Sequence, residues 1–163
     1  MILTLDASVA VKWVVNEPGS EAARSYLPIL SNDGHRITMQ HTFLAPALIA
    51  LELHNVLSKL HRSRKITFDQ LAEGKFVLKQ IGRLEPVDEE LIGEARFMSF
   101  VAKSRRAPDN PNINPQTVGT FNIYDCIYLA HAKRHRSTLL TADGELAQIA
   151  KVFNISTELI PIS

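Results

Sequence analysis

The chain contains almost no cysteine and has no excess of either charge. Its one cysteine, Cys126, cannot form an internal disulfide. The apolar surroundings of Cys126 favour a small buried thiol and therefore a reducing, cytoplasmic environment. The 18 basic residues nearly balance the 17 acidic ones, so any contact with nucleic acid must come from a local basic patch.

Long hydrophobic runs are also absent. The longest uncharged apolar run, from Phe43 to Leu51, includes Pro46 and is about half as long as a membrane-spanning helix. The apolar amino terminus has no basic leader and contains Asp6 and Lys12 where an export signal would be uncharged. We therefore expect a cytoplasmic protein without a membrane segment.

The 45% of hydrophobic residues suffices for one core, so we predict a single domain over residues 1–163. Short apolar runs alternate with segments of helical periodicity. They predict strands at 2–5, 42–44, 84–87, 137–141 and 156–162. Helices are predicted at 8–17, 21–30, 46–62, 68–82, 88–103, 124–136 and 144–153. This alternation indicates an α/β fold with a parallel sheet covered on both sides.

Ser8 can cap the first of the predicted helices, and Pro46 fits the first turn of the third. Thr67 with Gln70 resembles a capping box for the fourth, and Asp88 starts the fifth.

Residues 104–120 interrupt this pattern. Three prolines, three asparagines and a glycine in this segment exclude regular structure. Loops of about this length inside compact domains are usually functional or mobile. Because the segment leads into the helix that Asp125 opens, we expect it to lie beside the acidic residues described next, as a substrate-facing flap.

Four acidic residues occupy positions in or beside otherwise apolar elements. Asp6 ends the run ILTLD, Glu52 interrupts PALIALELHNVL, Asp125 opens the helix in YDCIYLAHA, and Asp143 follows STLLTA. A buried carboxylate without a partner costs several kcal/mol, so four of them suggest a shared cation. Ligands bind beyond the carboxyl ends of parallel strands, where Asp6 and Asp143 are expected. Oxygen ligands favour a hard cation such as Mg²⁺.

Each acid taken alone has a plainer interpretation. Asp6 or Asp125 would stabilise the amino terminus of a helix by about 0.3 to 1 kcal/mol without any metal. Glu52 could lie on a polar helix face, and Asp143 could be a turn residue. The joint pattern favours the metal site over these four separate explanations.

Three histidines offer a different metal site. His54, His131 and His135 could suggest zinc, but they do not form a closed set of ligands. We expect them at the surface and assign them no catalytic role.

Four segments, in this order, resemble the PIN-domain ribonucleases and, within that family, the VapC-type toxins of prokaryotic toxin–antitoxin modules. They are LDASVAVKWVVNEPGSE, APALIALELHNVL, NIYDCIYLAHA and LLTADGELA, and the resemblance covers nearly the whole chain. It implies a three-layer α/β/α sandwich with a central parallel sheet. It also implies that Mg²⁺ or Mn²⁺ is bound by Asp6, Glu52, Asp125 and Asp143, with Ser8 and Thr141 as hydroxyl neighbours.

The resemblance further implies an endoribonuclease that hydrolyses RNA to 3′-hydroxyl and 5′-phosphate ends, a small cognate antitoxin and a homodimer. Asn55 shares the helical face of Glu52 and could orient a carboxylate or a water, or could be a polar core residue. Arg105 and Arg106, which lead into the long loop, are candidates for contacts with RNA. Two alternatives are a PIN nuclease of RNA processing that is not a toxin and a noncatalytic PIN interaction module.

The chain departs from the typical toxins at two places. The segment 104–120 is longer than the connection they have there, which leaves the choice of RNA open. Cys126 stands where the family most often has alanine, a small-for-small exchange that we expect to be harmless.

Overall fold

The computed structural model describes residues 1–27, 29–30, 37–38, 41–106 and 122–161. The strands are β1 (Ile2–Leu5), β2 (Ile29–Leu30), β3 (Ile37–Thr38), β4 (Thr42–Pro46), β5 (Arg83–Glu85), β6 (Thr138–Thr141) and β7 (Thr157–Leu159). The helices are α1 (Ala7–Val14), α2 (Ser20–Arg24), α3 (Leu48–Arg62), α4 (Phe68–Gln80), α5 (Glu89–Arg106), α6 (Ile123–His135) and α7 (Gly144–Val152).

The central sheet is parallel and has the strand order β5-β4-β1-β6-β7. Its middle strand is β1, in which Leu3 aligns with Phe43 of β4 and with Thr138 of β6. Leu3, Thr4 and Leu5 are all buried, as a strand covered on both faces requires. Strands β2 and β3 form a separate antiparallel pair. The predicted parallel sheet is therefore confirmed.

Helices cover both faces of this sheet. Helices α1 to α4 pack against one another, whereas α5 packs on α6, and α6 lies across β1, β4 and β6. Right-handed crossovers between parallel strands place these two groups on opposite faces. The arrangement is the predicted three-layer α/β/α sandwich. Among the helices described, none is both long and apolar enough to cross a membrane.

Two predicted helix signals are present in the structure. Thr67 and Gln70 form a reciprocal capping box at the start of α4, with N···O distances of 3.0 and 3.2 Å. Asp88 accepts a hydrogen bond from the backbone N–H of Leu91 (2.8 Å) and so caps α5. Each cap satisfies backbone donors that the first helical turn leaves without partners.

Several predicted boundaries were wrong. The helix predicted over 21–30 ends at Arg24, because a proline at position 28 lacks the backbone donor that a longer helix would need. Ser8 does not cap α1. The N-cap position is Asp6, since the chain passes directly from β1 into the helix. Pro46 ends β4 and does not lie in the first turn of α3. Helix α5 continues to Arg106, and residues 107–120 of the predicted loop lie outside the described residues.

Candidate metal centre and active site

Asp6 lies at the carboxyl end of β1, next to β6, to which its backbone N–H is bonded (Leu140 carbonyl, 3.0 Å). Its carboxylate is almost fully buried, with 6% of the residue exposed. The Oδ2 atom accepts hydrogen bonds from the hydroxyls of Ser8 (2.5 Å) and Thr141 (2.6 Å). Asp6 is therefore held by one residue from α1 and one from β6.

Backbone amides fix the orientation of these two hydroxyls. The N–H of Ala142 donates to Ser8 Oγ (3.0 Å), and the N–H of Asp143 donates to Thr141 Oγ1 (3.0 Å). Because each hydroxyl oxygen accepts from an amide, its own proton is directed to Asp6. The local chain after β6 thus positions the Asp6 carboxylate.

Glu52 projects from α3 and is joined to α6 by a side-chain hydrogen bond. The Tyr128 hydroxyl donates to Glu52 Oε2 at 2.5 Å, and Tyr128 is itself only 1% exposed. Oε1, the other carboxylate oxygen of Glu52, takes no part in this hydrogen bond. Tyr128 was not predicted as a site residue, although it lies three residues after Asp125 and so shares its helical face.

Asp125 and Asp143 lie at the amino-terminal ends of α6 and α7. Asp125 is half-buried in the first turn of α6, after the N-cap residue Asn122. Asp143 is exposed, and its Oδ1 accepts from the backbone N–H groups of Glu145 (2.8 Å) and Leu146 (3.1 Å). Asp143 is thus the N-cap of α7, and its charge also acts on Asp6 and Asp125.

Burial and mutual repulsion raise the pKa of three of the four acids. Burial, the largest cause, raises the pKa of Asp6 despite the hydrogen bonds from Ser8 and Thr141. Burial also raises the pKa of Glu52 against the opposing effect of the Tyr128 hydrogen bond. The pKa of Asp125 rises to about 7, first through burial and then through the charges of Asp6, Asp143 and Glu52. The structure therefore brings all four acids into electrostatic contact.

No side-chain cation offsets this repulsion within the described ranges. The ion pairs found there involve none of Asp6, Glu52, Asp125 and Asp143. No three of these acids have carboxylate oxygens within 4.8 Å of one another. In the part of the chain described, only Glu85, His131 and His135 bring their ligand atoms that close together. Mg²⁺ usually takes one or two carboxylates directly and keeps several waters, so these all-oxygen donors fit Mg²⁺ or Mn²⁺.

Of the other sequence candidates that the structure describes, Asn55 is not brought into this cluster. Asn55 is exposed, one helical turn beyond Glu52. Arg105 and Arg106 belong to the last turn of α5, but their side chains lie outside the described part of the structure. The proposed contact of these arginines with RNA remains a prediction.

The surface location predicted for the histidines holds for His54, which is exposed, and is wrong for the other two. His131 is 0% exposed and His135 is partly buried. Helix α6 lies between α5 and the sheet, so its residues are covered nearly all round and no polar face can be identified from the sequence. The pKa of His131 is lowered to about 3, mainly by burial and further by His135 and Arg134, so its ring is neutral.

Comparison with known proteins identifies the family. A profile described as the PIN domain matches residues 3–152. The chain belongs to the PIN domain family. PIN domains are nucleases and thus hydrolases. The family expected from the sequence is confirmed.

Solved structures show the same fold. FitAcB from Neisseria gonorrhoeae is 19% identical with a TM-score of 0.59, and the match covers 96% of each chain. VapBC2 from Rickettsia felis, bound to a DNA fragment from its promoter, is 16% identical with a TM-score of 0.61. VapBC-1 from nontypeable Haemophilus influenzae is 15% identical with a TM-score of 0.58. Each of these two matches covers 98% of both chains. A comparison with curated proteins gave no match.

Proposed function

We propose that this PIN protein is an endoribonuclease dependent on Mg²⁺ or Mn²⁺ and the toxin component of a type II toxin–antitoxin module. The observation that carries the proposal is the electrostatic cluster of Asp6, Glu52, Asp125 and Asp143 at one edge of the sheet, with no cationic side chain paired to it among the described residues. Membership of the PIN family supports the nuclease activity. The resemblance to VapC-type toxins and the likeness to VapBC structures support the toxin assignment.

The four acids would hold the cation, partly through intervening waters. When bound, the cation would supply positive charge for the phosphodiester and lower the pKa of a water. Ser8 and Thr141 hold Asp6 Oδ2 by hydrogen bonds, which orient this carboxylate and favour its ionised form against the effect of burial. Tyr128 occupies Glu52 Oε2, which leaves Oε1 as the atom proposed to accept the proton of the attacking water.

The cleavage assay for this proposal uses purified protein and a labelled single-stranded RNA in Mg²⁺. Asp6→Asn should lower the cleavage rate by about 100-fold or more, because the charge stabilisation that it weakens is worth several kcal/mol. Asp69→Asn is the matched control, since Asp69 is an exposed acid in the first turn of α4. Equal cleavage by the parent and Asp6→Asn would refute the proposed site.

Growth measurements separate a toxin from a PIN nuclease of RNA processing. Induction of the parent should arrest growth, and Asp6→Asn should not. Coexpression of a short neighbouring reading frame that encodes a DNA-binding antitoxin should restore growth. An active nuclease whose induction leaves growth unchanged would favour the processing enzyme, whereas a folded protein without nuclease activity would favour the noncatalytic interaction module.

We also propose that the protein is a homodimer. Helix α4 presents Phe68 and Phe76 with 70% and 62% of each residue exposed, and large exposed apolar side chains in one region are typical of an interaction surface. A partner copy covering this helix would remove that apolar surface from water.

A further inference from the structure

A second group of potential ligands lies at the other end of α6, away from the acidic cluster. His131 and His135 are four residues apart and therefore on one helical face, and Glu85 reaches them from the end of β5. One ligand atom from each of these three residues lies within 4.8 Å of the others. His135 is about 15 Å further along the helix axis than Asp125, so the acids of the proposed nuclease site are not part of this group.

The trio contains buried polar atoms without hydrogen-bond partners. These atoms are Nε2 of His131, Nε2 of His135 and Oε1 of Glu85. His131 is 0% exposed, so solvent cannot satisfy its ring nitrogen. More than about 90% of buried polar groups in folded proteins have a partner. His135 Nε2 and Glu85 Oε1 have ion-pair neighbours, so Nε2 of His131 is the exception that indicates a missing ligand.

A chain of hydrogen bonds is compatible with the His131 tautomer that metal binding requires. If the Ser137 hydroxyl donates to the Ala132 carbonyl (3.4 Å), its oxygen accepts from Thr4 Oγ1 (2.7 Å). The Thr4 oxygen is then the acceptor for Nδ1 of His131 (3.0 Å). In a neutral imidazole with the proton on Nδ1, the Nε2 atom carries a lone pair. Metal-binding histidines are usually held in this way, through a hydrogen bond from the other ring nitrogen.

Ion pairing accounts for Glu85 and His135 and leaves Nε2 of His131 unexplained. Nε2 of His135 lies 2.8 Å from Glu85 Oε2, and Nε of Arg83 lies 3.0 Å from Glu85 Oε1. Neither contact reaches Nε2 of His131. The His131 and His135 rings are also close, with 4.5 Å between their centroids, so a ligand between them must accept electron pairs from both. A transition-metal cation meets that requirement.

We propose that Glu85, His131 and His135 form a binding site for Zn²⁺ or a similar transition-metal ion. Two imidazole nitrogens and one carboxylate are a ligand set that Zn²⁺ accepts, with a water in the fourth position. The side chain of His135 is 22% exposed, so the proposed site lies near the protein surface. Such an ion would link the second half of α6 to β5, independently of the proposed nuclease activity.

Co²⁺ is the probe, because four-coordinate Co²⁺ absorbs visible light strongly and six-coordinate Co²⁺ with oxygen ligands absorbs weakly. The full chain is titrated with Co²⁺ in excess Mg²⁺, which occupies the acidic cluster. The parent should develop the intense band at one equivalent of Co²⁺, and Zn²⁺ should displace it. No intense band in the folded parent would overturn the proposal.

Variants then locate the site. His135→Gln and Glu85→Gln should each weaken Zn²⁺ binding by about 100-fold or more, because losing even an outer partner of a metal ligand costs about 10- to 100-fold. His54→Gln, an exposed change on α3, should bind as the parent does. Undiminished binding by both folded site variants would overturn the proposal.

A measurement on the parent does not depend on variant folding. With ¹⁵N-labelled histidine, Zn²⁺ should shift the resonances of Nε2 in His131 and His135 and leave both nitrogens of His54 unchanged. Unchanged Nε2 resonances in His131 and His135 at saturating Zn²⁺ would contradict the assignment.

Discussion

Replacing Asp125 by asparagine should remove the proposed nuclease activity and yet stabilise the metal-free protein. The pKa of Asp125 is raised from 3.8 to about 7 by burial and by three neighbouring acids. That difference corresponds to about 4 kcal/mol between the charged and neutral forms. Because Asp125 is only half-buried, solvent screening reduces the expected gain to about 1 to 2 kcal/mol. For a chain of this size, the melting temperature should rise by about 2 to 8 °C.

The gain should depend on pH with a defined sign. A carboxyl group whose pKa is higher in the folded state destabilises that state as the pH rises from about 4 through about 7. Near or below about pH 4 the parent carboxyl is largely neutral in the folded and the unfolded state, so the two proteins should melt at similar temperatures. Above about pH 8 it is ionised, and the variant should melt higher. Thermal melting in chelator at both pH values measures this difference.

A matched control separates repulsion from helix capping. Asp69 is also in the first turn of a helix but is exposed, so Asp69→Asn should lose about 0.3 to 1 kcal/mol of stability. Addition of Mg²⁺ should raise the melting temperature of the parent more than that of Asp125→Asn, because a weaker site contributes less binding free energy. Two results together would refute this reasoning: Asp125→Asn melts lower than the parent in chelator above about pH 8, and Mg²⁺ raises its melting temperature as much as that of the parent. Asp125 would then be a structural helix residue.

Three further predictions concern single side chains and assembly. Tyr128→Phe removes the hydrogen bond to Glu52 Oε2, so it should raise the pKa of Glu52 and lower activity about tenfold. The acidic limb of the pH–rate profile should move to higher pH, and an unchanged profile would contradict this role. Thr141→Val removes a donor to buried Asp6 and should cost about 1 to 3 kcal/mol in chemical denaturation, and no loss would contradict it. Light scattering should show a dimer for the parent and a monomer for Phe76→Lys, whereas a monomeric parent would refute the homodimer.

The sheet was predictable because its strands have a simple signature. The apolar run at residues 2–5 is too short for a helix and is buried on both faces as β1, which the sequence pattern indicates directly. The positions of Asp6 and Asp143 after β1 and β6 followed from the same pattern, because parallel strands bring their carboxyl ends to one edge. Local sequence and fold topology were sufficient for this part of the candidate site.

Contacts between distant residues were not predictable. Ser8 has the sequence signature of a helix cap, but its hydroxyl donates to Asp6 and lies 3.5 Å from Thr141, which is far away in the sequence. Tyr128 and Glu52 belong to different helices. Helix α6 is buried nearly all round, so hydrophobic periodicity gave no information about which of its side chains meet the acids.

The grouping of Glu85 with two histidines was hidden for the same reason. His131 and His135 are visible in the sequence as a pair four residues apart, but the third member comes from β5 and becomes a neighbour only through the packing of α6 on the sheet. A search for ligands close in sequence cannot find such a set.

The chemistry of the RNA ends tests the central claim most directly. Hydrolysis by a water activated at the acidic cluster should give 5′-phosphate and 3′-hydroxyl ends in Mg²⁺, with no cleavage in chelator or by Asp6→Asn. Mass spectrometry of the fragments from one short RNA, with a DNA of the same sequence in parallel, identifies these ends and the preference for RNA. Fragments with 2′,3′-cyclic phosphates, or equal cleavage in chelator, would contradict the account.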